Sequence, residues 1–303
     1  MRVLVIGGTR FIGPRVVRRL IKAGHEVGIF YRGDHEAVLP VNVRRFKDSR
    51  AAMPVTKIPE ELRAYAPEIV LHMIAMGERD GEAARKGFVG IARRIVAPSS
   101  GDVYRAFGIF KGSEKGPTER ELLRESSPLR SKLFPYRTKE TPQDALEYYY
   151  DKILVERELS ADSRLPATIL RLPKVYGPED NGNLATVYGF RNHPDWRWTH
   201  GYVENVAQAI VQAIVNDGAL GQIYIVGEEI TPTVAERLAY LPPNPNAAIL
   251  DHEANFAQNI AYDTSLIRRE LGYVEEIVER TAMERIAAAS IDSAETNNCT
   301  CKL

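Results

Sequence analysis

The stretch that decides the fold opens the chain and reads Arg2-Val3-Leu4-Val5-Ile6-Gly7-Gly8-Thr9-Arg10-Phe11-Ile12-Gly13. Its apolar, β-branched start predicts a short buried strand over Arg2–Ile6. Apolar side chains then recur at helical spacing from Phe11 to Ala23, and Gly24 is a common terminator of a helix. A glycine-rich turn between a strand and a helix is typical of dinucleotide-binding folds, in which the backbone comes close to a pyrophosphate.

The residues of this turn have separate roles in that interpretation. Gly7 permits the tight turn, Gly13 lets the helix pack against the strand, and the first N–H groups of the helix attract phosphate. We therefore expect cofactor contacts from Gly7, Thr9, Arg10, Phe11, Ile12 and Gly13. The alternative is a tight turn in an unrelated α/β protein.

Short apolar runs alternate with helical segments along most of the chain. Further strands are predicted over Val27–Tyr31, Val43–Phe46, Glu68–Ala75, Arg94–Ser99, Ala167–Leu172 and Gln222–Val226. Helices are predicted over Pro59–Tyr65, Arg79–Arg93, Asp144–Ser160, Val203–Val215, Ser265–Leu271 and Val274–Ala289. This alternation indicates βαβ units and a parallel sheet.

Two segments depart from the alternation. Residues 105–143 are rich in Lys, Glu, Pro and Gly and show no period, so we expect a long surface excursion, a kind of loop that is often functional. Residues 290–303 are expected to be disordered. This tail contains Cys299 and Cys301, which we interpret as free thiols rather than as half of a metal site.

The composition excludes several classes of function. The 303 residues carry 40 Lys+Arg and 40 Asp+Glu, a formal net charge of +0 that speaks against a nucleic-acid partner. No apolar run approaches the roughly 18 residues of a membrane span, so no membrane partner is expected. Two cysteines at the end of the chain provide no disulfide framework, which makes the cytoplasm the expected location. No spacing of His, Asp and Glu indicates a catalytic metal.

The end of the second strand bears on the choice of cofactor. A carboxylate there binds the ribose 2′-hydroxyl of NAD, whereas a basic residue suits the 2′-phosphate of NADP. Here the strand runs into Arg32, with Asp34 two residues later, and Arg10 of the glycine turn can face the same ribose. We therefore expect NADP, with NAD as the alternative. In the other interpretation both arginines are simply solvated.

Three further side chains suggest proton transfer. Tyr148 and Lys152 lie four residues apart in a predicted helix, so they are expected on one helix face. An ammonium near the phenol favours the phenolate, which would make Tyr148 a general acid/base for a reacting hydroxyl. Ser100 ends the fifth strand, at the edge of the sheet where ligands bind. The alternatives are an ordinary surface pair and a strand-end serine.

Several stretches together resemble the NAD-dependent epimerase/dehydratase family of the extended short-chain dehydrogenase/reductases, over about residues 1–285. They are Gly7–Gly13, Ser99–Tyr104, Tyr148 with Lys152, Leu170–Pro178, Gly201–Ala207 and Tyr262–Tyr273. The resemblance implies an α/β fold, a Rossmann-type doubly wound parallel sheet with a smaller C-terminal substrate-binding α/β domain. We expect the first domain over residues 1–172, with 200–226 returning to it, and the second over 173–199 and 227–289.

The same resemblance implies roles for individual residues. The family's catalytic triad corresponds to Ser100, Tyr148 and Lys152, and the substrate is expected to be a nucleotide sugar. Further cofactor contacts are expected from Asp48, Ala75, Lys152 and Pro173. A homodimer through the Tyr148 helix and the Arg79–Arg93 helix would fit the resemblance.

The chain departs from the family at the middle glycine of its loop, which is Arg10. The sequence Gly-Gly-Thr-Arg-Phe-Ile-Gly resembles an atypical branch that includes chloroplast stem-loop RNA-binding proteins. An RNA-binding protein with little redox activity is therefore the alternative function. Those relatives tend to lack the full triad, which this chain keeps, and that favours an enzyme.

The residues after Ser100 bear on the reaction. Dehydratases of this pattern often have two acidic or polar residues there, whereas this chain has Gly101 and Asp102, so dehydration is disfavoured relative to epimerisation or reduction. Asp102 is a candidate substrate contact or an ordinary turn residue. Two groups of arginines suggest an anionic substrate. Arg130 and Arg137 lie in the long excursion, and Arg191 and Arg197 cluster with Trp196 and Trp198. A salt-bridged surface loop is the alternative for Arg191–Trp198.

Overall fold

The computed structural model describes residues 1–49, 53–250 and 253–299, with only the backbone given from residue 290 onward. Its strands are β1 (Arg2–Ile6), β2 (Glu26–Tyr31), β3 (Arg44–Lys47), β4 (Ile69–His72), β5 (Arg94–Ser100), β6 (Ala167–Leu172), β7 (Lys174–Tyr176), β8 (His200–Tyr202) and β9 (Ile223–Ile225). Its helices are α1 (Ile12–Lys22), α2 (Glu60–Ala64), α3 (Glu78–Phe88), α4 (Arg105–Phe110), α5 (Leu146–Tyr149), α6 (Lys152–Leu159), α7 (Ala185–Tyr188), α8 (Val203–Val215), α9 (Val234–Leu238), α10 (Ser265–Leu271) and α11 (Glu279–Cys299).

Seven strands form one parallel sheet in the order β3-β2-β1-β4-β5-β6-β9. Successive side chains of β1 point to opposite faces, as they do in any strand. Val3 and Val5 pack with α1 and α8, and Leu4 and Ile6 pack with α3 and α6. The sheet is therefore buried on both faces, which confirms the predicted Rossmann-type α/β class.

A second, smaller part of the chain lies outside this sheet. It contains the two-stranded parallel pair β7-β8 and an apolar cluster that includes Tyr176, Leu184 and Met283. The domain boundary at residue 172 stays a prediction. No helix of the described ranges is both long and apolar enough to cross a bilayer.

Several predicted elements differ from the structure. The predicted helix over Arg79–Arg93 ends at Phe88, the one over Val274–Ala289 begins at Glu279, and residues 105–110 of the predicted surface excursion form the largely buried helix α4.

The helix over Asp144–Ser160 is interrupted at Tyr150 and Asp151, whose backbone is extended, and the Asp151 carboxylate caps α6 by accepting from the Ile153 N–H. At the C-terminus, α11 continues to Cys299, although disorder was expected from residue 290. The run Ala287-Ala288-Ala289 favours continuation of a helix. Cys301 lies outside the described residues.

Glu228, just after β9, is a buried acid that links the two parts of the chain. It is 3% exposed and accepts a hydrogen bond from the Tyr202 N–H at 2.9 Å. Burial raises the pKa of Glu228 to about 8, and the nearby carboxylates of Glu275 and Glu279 act in the same direction. Its carboxyl group is therefore protonated in the folded chain at neutral pH.

This protonation predicts a pH dependence of stability. Between about pH 4.5 and 8 the folded chain holds a proton at Glu228 that the unfolded chain has lost. The stabilisation is complete below this window and is lost as the pH rises through it, with a slope of at most ~1.4 kcal/mol per pH unit. Urea unfolding of the wild type and of Glu228→Gln between pH 5 and 8 measures the effect. The variant should lack this part of the slope, and identical slopes would contradict the prediction.

Candidate functional site

The turn after β1 has the conformation that a dinucleotide needs. Gly7 and Gly8 have φ of 86° and 90°, in the left-handed region. A Cβ on Gly13 would lie 2.2 Å from the Cα of Gly8, so only glycine allows this close approach of α1 to the turn. No side chain caps the first N–H groups of α1, and no acidic residue lies in its first turn. The helix N-terminus is thus available to a pyrophosphate.

A cleft with a cavity volume of about 340 Å³ opens over this turn. Its lining consists of Gly7–Ile12, of residues 30–35 at the end of β2, of Met53 and Val55, and of Met73 and Ile74 after β4. These residues fit the adenosine and pyrophosphate of a dinucleotide in size and in their mixed apolar and polar character. Six of the predicted cofactor residues line it directly: Gly7, Thr9, Arg10, Phe11, Ile12 and Arg32.

The two arginines of the predicted NADP preference differ in their surroundings. Arg10 is exposed at the cleft. Arg32 also lines the cleft but forms an ion pair with Asp34 at 2.6 Å, and both side chains are about half exposed. A cation and a carboxylate therefore lie together where the ribose is expected. Asp48, predicted to contact the cofactor, follows β3 and is not among the lining residues.

A second cleft, with a cavity volume of about 210 Å³, lies at the carboxyl ends of β5 and β6. Three predicted site residues line it: Ser100, Asp102 and Pro173. The other lining residues are Gly101, Leu172, Lys174 and the aromatic residues Phe107, Tyr136, Trp198 and Tyr262. Pro173, predicted to contact the cofactor, thus lies in this cleft rather than in the first.

Asp102 is the central polar group of the second cleft. It is 3% exposed, and its Oδ2 accepts hydrogen bonds from the hydroxyls of Tyr136 and Tyr150, both at 2.9 Å. Its Oδ1 has no partner within the described ranges. Burial raises the pKa of Asp102, although the two phenols act against the shift. Burial also raises the pKa of Tyr150, so this phenol is protonated at neutral pH.

The predicted pairing of Tyr148 with Lys152 on one helix face is wrong, because the helix is interrupted between them. The Tyr148 ring packs against Tyr149 and lies 4.1 Å from the Arg137 guanidinium. The Lys152 ammonium instead lies 5.8 Å from the ring of Tyr150. Tyr150 was not among the predicted site residues. The missed signal is Asp151, a good N-cap, which predicts that a helix starts at the next residue.

Lys152 lies between the two clefts. Its Nζ donates to the carbonyl of Ala75, after β4, at 2.5 Å and to that of Pro98, in β5, at 3.3 Å. Burial lowers the pKa of Lys152, and the carboxylate of Asp102 acts in the opposite direction. Ser100 lies nearby, and its Oγ accepts from the Asp102 N–H at 3.2 Å. Lys152 and Ala75, both predicted to contact the cofactor, are thus brought together, although neither lines the first cleft.

The four arginines proposed for an anionic substrate do not line the second cleft. Arg130 forms a buried ion pair with Asp151 at 2.8 Å, and Arg137 donates to the Tyr148 carbonyl. Arg191 donates to the carbonyls of Tyr188 and Ala247, and Arg197 donates to the carbonyl of Thr231. Main-chain carbonyls and a carboxylate thus occupy these guanidinium groups. The cation that does line the cleft is Lys174, which forms no ion pair within the described ranges.

Comparisons with known proteins identify relatives of the expected kind. No protein-family model matches the sequence. The chain is 25% identical to dTDP-glucose 4,6-dehydratase of Neisseria gonorrhoeae over 326 residues, 90% of either chain. It is 26% identical to 2'-dehydrokanamycin reductase of Streptomyces kanamyceticus over 239 residues, 73% of this chain and 60% of that protein.

A solved structure gives the same result for the fold. UDP-glucose 4-epimerase of Thermus thermophilus, solved as a complex with NAD, superposes with a TM-score of 0.64 at 21% identity, covering 94% of this chain and 97% of the other. The resemblance to the NAD-dependent epimerase/dehydratase family of extended short-chain dehydrogenase/reductases is thereby confirmed, at low sequence identity.

The buried Arg130–Asp151 pair predicts that substitutions of two different aspartates change the stability of the protein to different extents. Asp151→Asn leaves a buried guanidinium without its counter-charge, and we expect a loss of roughly 3 kcal/mol in the free energy of unfolding. Asp162→Asn is the matched control, since it breaks the pair with Arg164 on the surface and should change the urea midpoint little. Equal midpoints for the two variants would contradict a structural role of the buried pair.

Proposed function

We propose that this chain is a nicotinamide-dependent oxidoreductase or epimerase that acts on a hydroxyl or keto group of a nucleotide sugar in the cytosol. One observation carries the proposal. Lys152 donates to the carbonyl of Ala75, which follows β4 beside the first cleft. It also donates to the carbonyl of Pro98 in β5, the strand that ends in Ser100 at the second cleft. A cofactor in the first cleft and a substrate in the second would therefore meet beside this lysine. The names of the relatives, which act on dTDP-glucose or UDP-glucose, support the substrate class.

In this proposal, backbone N–H groups and charged side chains of the chain hold the cofactor. The N–H groups at the start of α1 take the pyrophosphate, and Arg10 with Arg32 takes a 2′-phosphate, so we propose NADP with NAD as the alternative. The carboxylate of Asp34 favours NAD instead, because it can accept from a free 2′-hydroxyl. When bound, the nicotinamide supplies the redox chemistry at the carbon that bears the reacting oxygen.

Proton transfer is assigned to Tyr150 rather than to Tyr148. The protonated phenol of Tyr150 is hydrogen-bonded to Asp102, which lines the second cleft. It can donate to the substrate oxygen during reduction, and the adjacent Lys152 ammonium stabilises the phenolate that remains. Ser100 orients the same oxygen through its hydroxyl. Gly101 has no side chain to protonate a leaving group, so we place epimerisation or reduction ahead of dehydration.

Three consecutive tyrosines provide a test of this assignment. With a nucleotide sugar that the wild type turns over, Tyr150→Phe should lower kcat about a hundredfold or more and leave the Kd for NADPH unchanged. Tyr149→Phe is the control, because its ring packs on Tyr148 and Arg79 outside the cleft. Tyr148→Phe separates the two assignments: a large loss there together with an active Tyr150→Phe would return the role to Tyr148.

The substrate class can be tested without turnover. Trp196 and Trp198 are the two tryptophans of the chain, and Trp198 lines the second cleft, so UDP binding should quench the intrinsic fluorescence. Lys174→Gln should weaken UDP about tenfold through the loss of a charged hydrogen bond. Lys86→Gln, which alters an exposed surface pair on α3, serves as the control. No quenching by UDP in the wild type, or equal Kd values for both variants, would contradict the proposed subsite.

A further inference from the structure

Residues 130–137 of the long excursion form a strap that is fixed to the segment carrying Tyr150 and Lys152. Besides the ion pair with Asp151, Arg130 donates to the carbonyl of Asp102 at 2.9 Å. The N–H of Phe134 donates to the Asp151 carboxylate at 2.6 Å. The strap is thus tied at one end to the turn after β5 and to the start of α6. Buried contacts therefore fix the position of the strap relative to Asp102.

Tyr136 of the strap reaches the same carboxylate oxygen as Tyr150. Both hydroxyls lie 2.9 Å from Asp102 Oδ2, and the two rings lie 5.2 Å apart. Asp102 is only 3% exposed, whereas Tyr136 is 40% exposed. Tyr136 therefore gives the buried carboxylate, and through it Tyr150, a hydrogen-bonded link to solvent.

We infer that Tyr136, Asp102 and Tyr150 form a proton relay that connects the reacting oxygen to solvent. Tyr150 touches the substrate oxygen in the proposed function, on which this inference rests. Asp102 Oδ2 is the common acceptor, and Tyr136 is a positioning residue that acts through it. The relay gives a role to the excursion over residues 105–143.

The proton steps balance without any further reactant. In reduction, the Tyr150 O–H bond breaks as the substrate O–H forms, which leaves a phenolate. The Tyr136 proton moves to Asp102 Oδ2 and from there to the Tyr150 oxygen, and water returns a proton to Tyr136. In oxidation every transfer runs in reverse, and one proton leaves to solvent.

Lys152 offers no equivalent route. Its Nζ donates to the carbonyls of Ala75 and Pro98, and a carbonyl oxygen of the backbone has no proton to pass on. His72, at the end of β4, is fully buried, and neither ring nitrogen has a partner in the part of the chain that the structure describes. It therefore has no hydrogen-bonded path to solvent either.

The groups that face Asp102 determine in which direction a substitution should shift its pKa. Arg130 of the strap and Lys152 of α6 favour the carboxylate, as do the hydrogen bonds from Tyr136 and Tyr150, while burial opposes it. The hydroxyl of Tyr262 lies against Gly101, and a Cβ there would overlap it. Removing one phenol donor should therefore raise the pKa of Asp102.

Infrared titration of the full chain measures this directly, through the C=O stretch of the protonated carboxyl group assigned with Asp102→Asn. Tyr136→Phe should raise the Asp102 midpoint by about one pH unit, because it removes a donor to the charged form. Tyr149→Phe makes the same substitution at a tyrosine outside the hydrogen-bond network, so the Asp102 midpoint should stay unchanged. An unchanged midpoint in Tyr136→Phe would overturn the shared hydrogen bond and the relay with it.

The path to solvent is tested by exchange. After a rapid transfer to D₂O below the Asp102 midpoint, the carboxyl band shifts as its proton is replaced by deuterium. Tyr136→Phe should slow this replacement at least about tenfold relative to the wild type and Tyr149→Phe. Equal exchange rates would overturn the relay even if the midpoint shifts. Neither measurement uses cofactor or substrate, so a failed relay and a failure to bind nicotinamide remain separate results.

Discussion

The candidate site depends on the buried ion pair between Arg130 and Asp151. Removing both charges from water is costly, and the cost is offset because each partner has further hydrogen bonds. Arg130 also holds the carbonyl of Asp102, and Asp151 also holds the N–H groups of Phe134 and Ile153. One pair thereby joins the turn after β5, the strap and the start of α6. The positions of Tyr136 and Tyr150 on a single carboxylate oxygen follow from this junction.

Sequence reasoning succeeded where the structure is determined locally. The run Arg2–Ile6, the glycine turn and the start of α1 are contiguous, and their period and glycine spacing reflect contacts within about twenty residues. The site depends on partners far apart in the chain, such as Arg130 with Asp151 and Tyr136 with Asp102. A helical period across Asp144–Ser160 could not reveal that long-range pair, so the predicted helix ran across the break, and Tyr148 was placed on one helix face with Lys152.

The arginines show the same limit of prediction from sequence, which does not reveal contacts between distant segments of the chain. Arg191 and Arg197 were candidates because guanidinium groups next to tryptophans suit anionic ligands, and that chemistry is sound. In the folded chain they donate to main-chain carbonyls of distant loops, and the cation left at the second cleft is Lys174. Residue type predicts what a side chain is able to bind, and the fold decides which of those partners it meets.

The central claim is that the glycine turn belongs to a working nicotinamide site. It is tested most directly by titrating the purified protein, stripped of bound nucleotide, with NADPH and NADH and recording nicotinamide fluorescence. The structure leads us to expect binding of at least one of them below millimolar concentration, with NADPH the tighter of the two. If neither cofactor binds in that range, the first cleft is not a dinucleotide site, and the proposed redox function is contradicted.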